Sequence, residues 1–82
     1  MSPITVQVRY FAVLREQSGI AVETVTTTAT TPMGLYDELV ARHGFTLDRR
    51  VVRAAINTAY VPMDSELHDG DEIVFIPPVA GG

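Results

Sequence analysis

The run EIVFI, residues 72–76, is apolar at four consecutive positions. Strand side chains alternate between faces, so Ile73 and Phe75 take one side while Val74 and Ile76 take the other. A strand apolar on both sides belongs at the centre of a sheet, and the chain has one long amphipathic helix with which to cover that sheet. In TTPMGLYDELVARHGF, Tyr36, Leu39, Val40 and His43 fall at i, i+3, i+4 and i+7, with Leu35 beside them, as one apolar stripe. Thr31 is placed to cap this helix, Pro32 suits its first position, and Gly44 stops it. Asp37 and Glu38 lie towards its positive N-terminal end, Arg42 and His43 towards its negative C-terminal end. One helix covers one face. The other face of EIVFI is therefore expected to stay open as an apolar patch, the kind of surface a partner covers.

Other segments supply the rest of the sheet. ITVQVRY alternates, with Ile4, Val6, Val8 and Tyr10 on one face and Thr5, Gln7 and Arg9 on the other. FAVLREQSG then changes period: Phe11, Leu14 and Arg15 share one side of a helical turn that Gly19 can end with a positive φ. IAVETVTTT, rich in β-branched residues, reads as a second strand that forms a hairpin with the first around this inserted turn. VVRAAIN and AYVPM are short strands, and Pro62 places the latter at an edge because proline cannot donate to a ladder. An Asp69-Gly70 turn leads into the last strand. Gly34 weakens the first turn of the long helix and reads as a point of close packing. The order is strand, short helix, strand, long helix, strand, strand, strand.

Eighty-two residues make one domain, and a hydrophobic share of 46% is enough for one packed core. The absence of cysteine excludes a disulfide scaffold, a thiolate metal site and a cysteine nucleophile. No apolar run approaches the ~20 residues of a membrane span, and no signal peptide is visible, so the cytoplasm is the expected location. The net charge of −4 and the scattering of the six basic residues argue against nucleic-acid binding. All six are arginine (Arg9, Arg15, Arg42, Arg49, Arg50, Arg53), so the chain offers no ε-amine, and amide-forming or sulfur chemistry must use its termini. LDRRVVR, the only local basic cluster, reads as a solvated loop leading into a strand. DSELHDGDE gathers five acids around His68 without the spacing of a calcium loop, and is read as an acidic turn. His43 and His68 have no partners at metal-ligand spacing, and Ser18 and Ser65 lack a nucleophile-elbow context. No metal site and no active site of the chain's own are expected.

The sequence ends on FIPPVAGG. Pro77 and Pro78 cannot extend the ladder and favour an extended path away from the body. Six residues from Pro77 to Gly82 reach about 20 Å when extended. Val79 and Ala80 are small, and Gly81 and Gly82 have no Cβ, so Pro78 to Gly81 suit threading through a narrow channel of another protein. A terminal glycine carboxylate is also the least hindered one a protein can present, suited to activation as an acyl adenylate. The domain is accordingly drawn as residues 1–76, with residues 77–82 as a flexible tail carrying the reactive Gly-Gly.

VRYFAVLREQSG near the start and LHDGDEIVFIPPVAGG at the end resemble the small subunit of molybdopterin synthase, a family of ubiquitin-like β-grasp sulfur carriers (the MoaD/ThiS superfamily). The resemblance implies an α+β fold: a mixed five-stranded sheet with the main helix on one face and a short helical turn after the first strand. It implies that Gly82 is adenylated by a MoeB-like activating enzyme using ATP transiently, and converted to a thiocarboxylate by a sulfurtransferase. The tail would then insert into a MoaE-like large subunit that supplies the catalytic residues, and would give up sulfur to cyclic pyranopterin monophosphate to make molybdopterin. No permanently bound cofactor is implied, and the assembly would be a heterotetramer, two small subunits flanking a large-subunit dimer. Phe11, Arg15, Tyr60 and Ile76 match positions that contact these partners. For Tyr60, an edge aromatic shielding the core is the competing reading, and Phe75 is read as core. Two alternatives keep the tail chemistry: a carrier for thiamine thiazole or cysteine synthesis, and a protein modifier conjugated through Gly82 to target lysines.

Overall fold

The computed structural model describes residues 2–78. The elements run β1 (Ile4–Tyr10), α1 (Ala12–Ser18), β2 (Val22–Thr27), α2 (Pro32–His43), β3 (Arg53–Ile56), β4 (Ala59–Val61) and β5 (Glu72–Ile76). They form one sheet in the order β2-β1-β5-β3-β4. The first and last strands pair in parallel at its centre, and the other three pairings are antiparallel. This is the mixed β-grasp sheet expected from the sequence, with EIVFI between two neighbours and AYV at an edge.

Local chemistry explains most boundaries. The Thr31 hydroxyl accepts from the Gly34 N–H at 3.1 Å, and the N–H of Gly44, in left-handed backbone, donates to the Val40 carbonyl at 2.8 Å. The β3–β4 hairpin closes on Asn57 and Thr58, both left-handed at φ 50° and 75°. Two positive φ values are what a two-residue hairpin turn of matching twist requires. Asn57 tolerates this; a β-branched threonine does so only at a cost. The close packing expected at Gly34 is not found. A Cβ there would meet Thr31 Oγ1 at 3.4 Å and the Ala29 Cβ at 3.5 Å, ordinary contact distances.

The acidic segment before β5 is a structural stitch. Thr5 N–H donates to Asp69 Oδ1 at 2.7 Å and Gly70 N–H to the Thr5 carbonyl at 2.8 Å, fixing the turn against the start of β1. Asp71 is buried and accepts from His68 N–H at 2.8 Å and Asn57 Nδ2 at 3.0 Å. Asp69 thus pins an exposed turn to β1, while the buried Asp71 answers part-buried backbone and amide donors.

The core lies between the sheet and α2. Leu35, Tyr36 and Leu39 of the helix are fully buried against Val6, Val8, Ile73 and Phe75. Tyr36 packs on Phe75 with ring centroids 5.4 Å apart and sends its hydroxyl to the Leu47 carbonyl at 2.8 Å. Val40 and His43, at the margin of the stripe, are only partly buried.

Leu39→Ala should destabilise the fold by about 2–5 kcal/mol, because the void sits where sheet and helix meet. Thr58→Gly should stabilise it by about 1 kcal/mol by relieving the left-handed strain. Urea unfolding of the three proteins side by side measures both effects.

Candidate functional site

The parallel register sets Tyr10 beside Phe75, so β1 and β5 finish at the same end of the sheet. Just beyond that end lie Phe11 and α1 from one strand, and Pro77 and Pro78 from the other. The chain turns sharply out of β1 at Ala12, a non-glycine residue at φ 51°. Phe11 precedes it as the extended N-cap of α1 (φ −130°, ψ 156°) and is left 49% exposed. The three residues expected on one side of the turn therefore divide. Leu14 enters the core, while Phe11 and Arg15 face solvent beside the β5 exit.

The face away from α2 carries a continuous row across all five strands. Val22, Arg9, Val74, Ala55 and Tyr60 are successive register partners. One step towards the exit, Ile76 pairs with Arg53. Val74 and Ile76 are half-exposed in the middle of this face, with Arg9 and Arg53 as their register partners. Arg9 Nη2 lies 3.5 Å from Glu72 Oε2, an exposed pair worth little to stability. Tyr60 is 78% exposed, which overturns its reading as a shield for the core. Phe75 is fully buried, as expected. The structure thus brings Phe11, Arg15 and Ile76 to one end of the sheet and puts Tyr60 on the same open face at its far edge. Val79, Ala80, Gly81 and Gly82 lie outside the described residues.

Behind the exit is a polar clasp that the sequence reading did not anticipate. Glu23 of β2 is the register partner of Val8 and so points towards the helix. Its carboxylate accepts from the Tyr10 hydroxyl at 2.7 Å and from Arg42 Nη1 at 3.2 Å, and it lies 2.8 Å from His43 Nε2. Burial pushes the Glu23 carboxyl up, but the hydrogen bonds from His43, Tyr10 and Arg42 and the charge of His43 outweigh it and hold the group below its ordinary value. Burial first, then the Glu23 carboxylate, push the Tyr10 phenol well above its usual range and keep it a donor. The clasp ties the end of α2 to β1 and β2 one residue before Phe11. The available signal was an acid in phase with Val25 and Thr27, with Arg42 and His43 at a helix end.

Comparison with known proteins fits this geometry. The profile of the ThiS family matches residues 8–82. The chain belongs to the ThiS family. It is 35% identical over 80 residues to the molybdopterin synthase sulfur carrier subunit of Escherichia coli, covering 94% of this chain and 99% of that one. Among solved structures, it is similar to subunit 1 in the complex of subunits 1 and 2 of the molybdopterin-converting factor of Helicobacter pylori. The match has 29% identity and TM-score 0.63 and covers 96% of this chain and 100% of that one. It is also similar to the small archaeal modifier protein 1 of Haloferax volcanii, at 26% identity and TM-score 0.75 over 95% of this chain and 99% of that one. Among the described residues, no helix is long and apolar enough to cross a membrane.

A depressed carboxyl contributes stability that is present above its unfolded pKa and lost as pH falls through its folded one. Stability should therefore decline as pH drops below about 4.5, the ordinary value for Glu23, and the decline should be shallower in Glu23→Gln. Urea midpoints between pH 6 and about pH 3 check this. At the exit, Leu14→Ala should cost about 2–5 kcal/mol and Phe11→Ala less than about 1 kcal/mol, since only Leu14 is in the core.

Proposed function

We propose that this chain is the sulfur-carrier subunit of a molybdopterin synthase, with the Gly82 carboxyl as the group that carries sulfur. The observation that carries this reading is full-length similarity to a protein of that function, on a fold that delivers the last strand beside an open apolar face. Activation joins the Gly82 carboxylate to the AMP portion of ATP with loss of pyrophosphate. A sulfide equivalent from a sulfurtransferase then displaces AMP and leaves a thiocarboxylate. The thiocarboxylate is a good sulfur nucleophile, and a protein carrier places it and shields it from water. Two such transfers turn cyclic pyranopterin monophosphate into the dithiolene of molybdopterin. Gly81, Ala80, Val79 and Pro78 serve by passing through the channel of the acceptor subunit.

The docking face follows from the same reading. Ile76 and Val74 form the apolar centre, Phe11 and Tyr60 are exposed aromatic anchors at either side, and Arg9, Arg15 and Arg53 form a cationic rim. Aromatic and arginine residues around a dry apolar centre are the usual composition of an energetic interface. The occupant is the large subunit of the synthase, in keeping with the two-subunit complex that holds the Helicobacter relative. The MoeB-like activating enzyme is proposed to use the same end of the sheet, and a heterotetramer with two carriers on a large-subunit dimer is the proposed assembly. A modifier role is the second reading, favoured by the Haloferax similarity; isopeptide-linked products in cell extract would be its mark.

Deleting Gly82 should abolish molybdopterin formation in a reconstituted synthase while leaving the unfolding midpoint unchanged. Ile76→Asp should weaken large-subunit binding by about tenfold or more in titration calorimetry, as loss of a central apolar anchor does. A truncated protein with full activity would refute the tail mechanism.

A further inference from the structure

An activated carboxyl is attacked by whatever nucleophile it meets first, so a carrier's own surface is the nearest hazard. The six cations of this chain are all arginine. A guanidinium stays protonated at every physiological pH and is no acyl acceptor, whereas an ammonium loses its proton readily enough to be one. The fold does not demand this choice. Among the described residues, the fork geometry of arginine is used against a carboxylate only at Arg50, whose Nε and Nη2 reach Asp48 Oδ1 and Oδ2 at 3.0 and 2.9 Å, and Arg53 Nη1 donates to the Arg50 and Val52 carbonyls at 3.2 and 3.5 Å. Arg9 meets Glu72, Arg42 meets Glu23 and Arg49 meets Asp37 through one nitrogen each, at 3.5, 3.2 and 2.9 Å. A lysine on these half-exposed sites would supply the same point charge.

The two buried phenols and one imidazole are withheld as well, while Tyr60 and His68 stay exposed. There is no thiol. Burial pushes the Tyr10 and Tyr36 phenols up, which keeps them protonated. His43 is held 2.8 Å from Glu23, and His68 Nε2 lies 3.0 Å from Glu66. Because β1 runs parallel to β5, Ile4 at the start of β1 lies at the end of the sheet opposite to the β5 exit. The six steps from Tyr10 back to Ile4 span about 20 Å. A six-residue tail must be fully straight, and reversed, to cover that distance.

We infer that arginine at positions 9 and 53, the register partners of Val74 and Ile76, and at position 15 in α1, makes this chain inert towards its own activated C-terminus. The inference rests on the reading of Gly82 as an activated carboxyl, and it adds a consequence. No second unit could be joined to this chain through a side-chain amine, because the chain has none. The step avoided is attack of an amine nitrogen on the Gly82 carbonyl carbon. A C–N bond forms, the bond to AMP or to a thiol leaving group breaks, and the amine proton passes to solvent.

The test uses the full chain carrying a Gly82 thioester, prepared by thiolysis so that no activating enzyme is needed. It is compared with the triple variant Arg9→Lys, Arg15→Lys, Arg53→Lys, which keeps every charge. At pH 8 the parent should go to the free acid alone, while the variant should give at least about tenfold more amide product, cyclised or cross-linked. Intact mass distinguishes amide from acid, and trypsin locates the junction. In the parent sequence the C-terminal tryptic fragment is Ala54 to Gly82, and in the product it is joined to one of the new lysines. A parent protein that acylates itself as fast as the variant overturns the inference, as does a variant as inert as the parent. A parallel reaction with ATP and the activating enzyme separates the two claims. Failure to adenylate Gly82 there sinks the carrier reading and leaves the thioester result standing.

Discussion

The parallel pairing of β1 with β5 is the constraint on which the rest depends. It joins the two ends of the chain at the centre of the sheet, where loop-closure entropy is largest and local propensity contributes least. Burial drives it: Val8, Tyr10, Ile73 and Phe75 are almost wholly removed from water on the helix side. The pairing also fixes polarity. Strands that run the same way finish at the same end, so α1 and the outgoing proline pair become neighbours. An antiparallel pairing would have sent the last strand out at the far end, away from Phe11 and Arg15.

The clasp around Glu23 stiffens that arrangement. A carboxylate on the inward face of a strand costs desolvation, which three donors from β1 and α2 offset. Its value lies less in net stability than in register, since a one-residue slip of β2 would point Glu23 to solvent and Thr24 inward. Tyr10, the last residue of β1, is held by it, and the corner at Phe11 and Ala12 follows directly. Behind the exit, β1, β2 and α2 are thus joined by hydrogen bonds. The open face, by contrast, holds Val74 and Ile76 half-exposed beside Arg9 and Arg53 in register, a surface that gains from being covered.

Much of this was legible in the residues because period and punctuation agree. EIVFI could only be central, Thr31-Pro32 and Gly44 bracketed the helix, and Asp69-Gly70 marked a turn. What escaped was non-local or chemically unusual. Nothing near Asn57-Thr58 announces a tight hairpin, since the usual glycine is missing and a β-branched residue takes its place. Glu23 looked like one polar residue among threonines; its partners are 13 to 20 positions away. Gly34 was over-read, for space around it is ordinary. Tyr60 could be weighed only once its exposure was known. The likeness to a sulfur carrier was visible in two terminal motifs, whereas the row from Val22 to Tyr60 needed the strand order.

The most direct test of the carrier chemistry is the intact mass of the chain after incubation with ATP, an activating enzyme of the MoeB type and a sulfur donor. The account predicts a gain equal to replacement of one oxygen by sulfur, located at Gly82 and absent from the chain lacking that residue. An unchanged mass, with the same enzyme demonstrably active on another carrier, would contradict it.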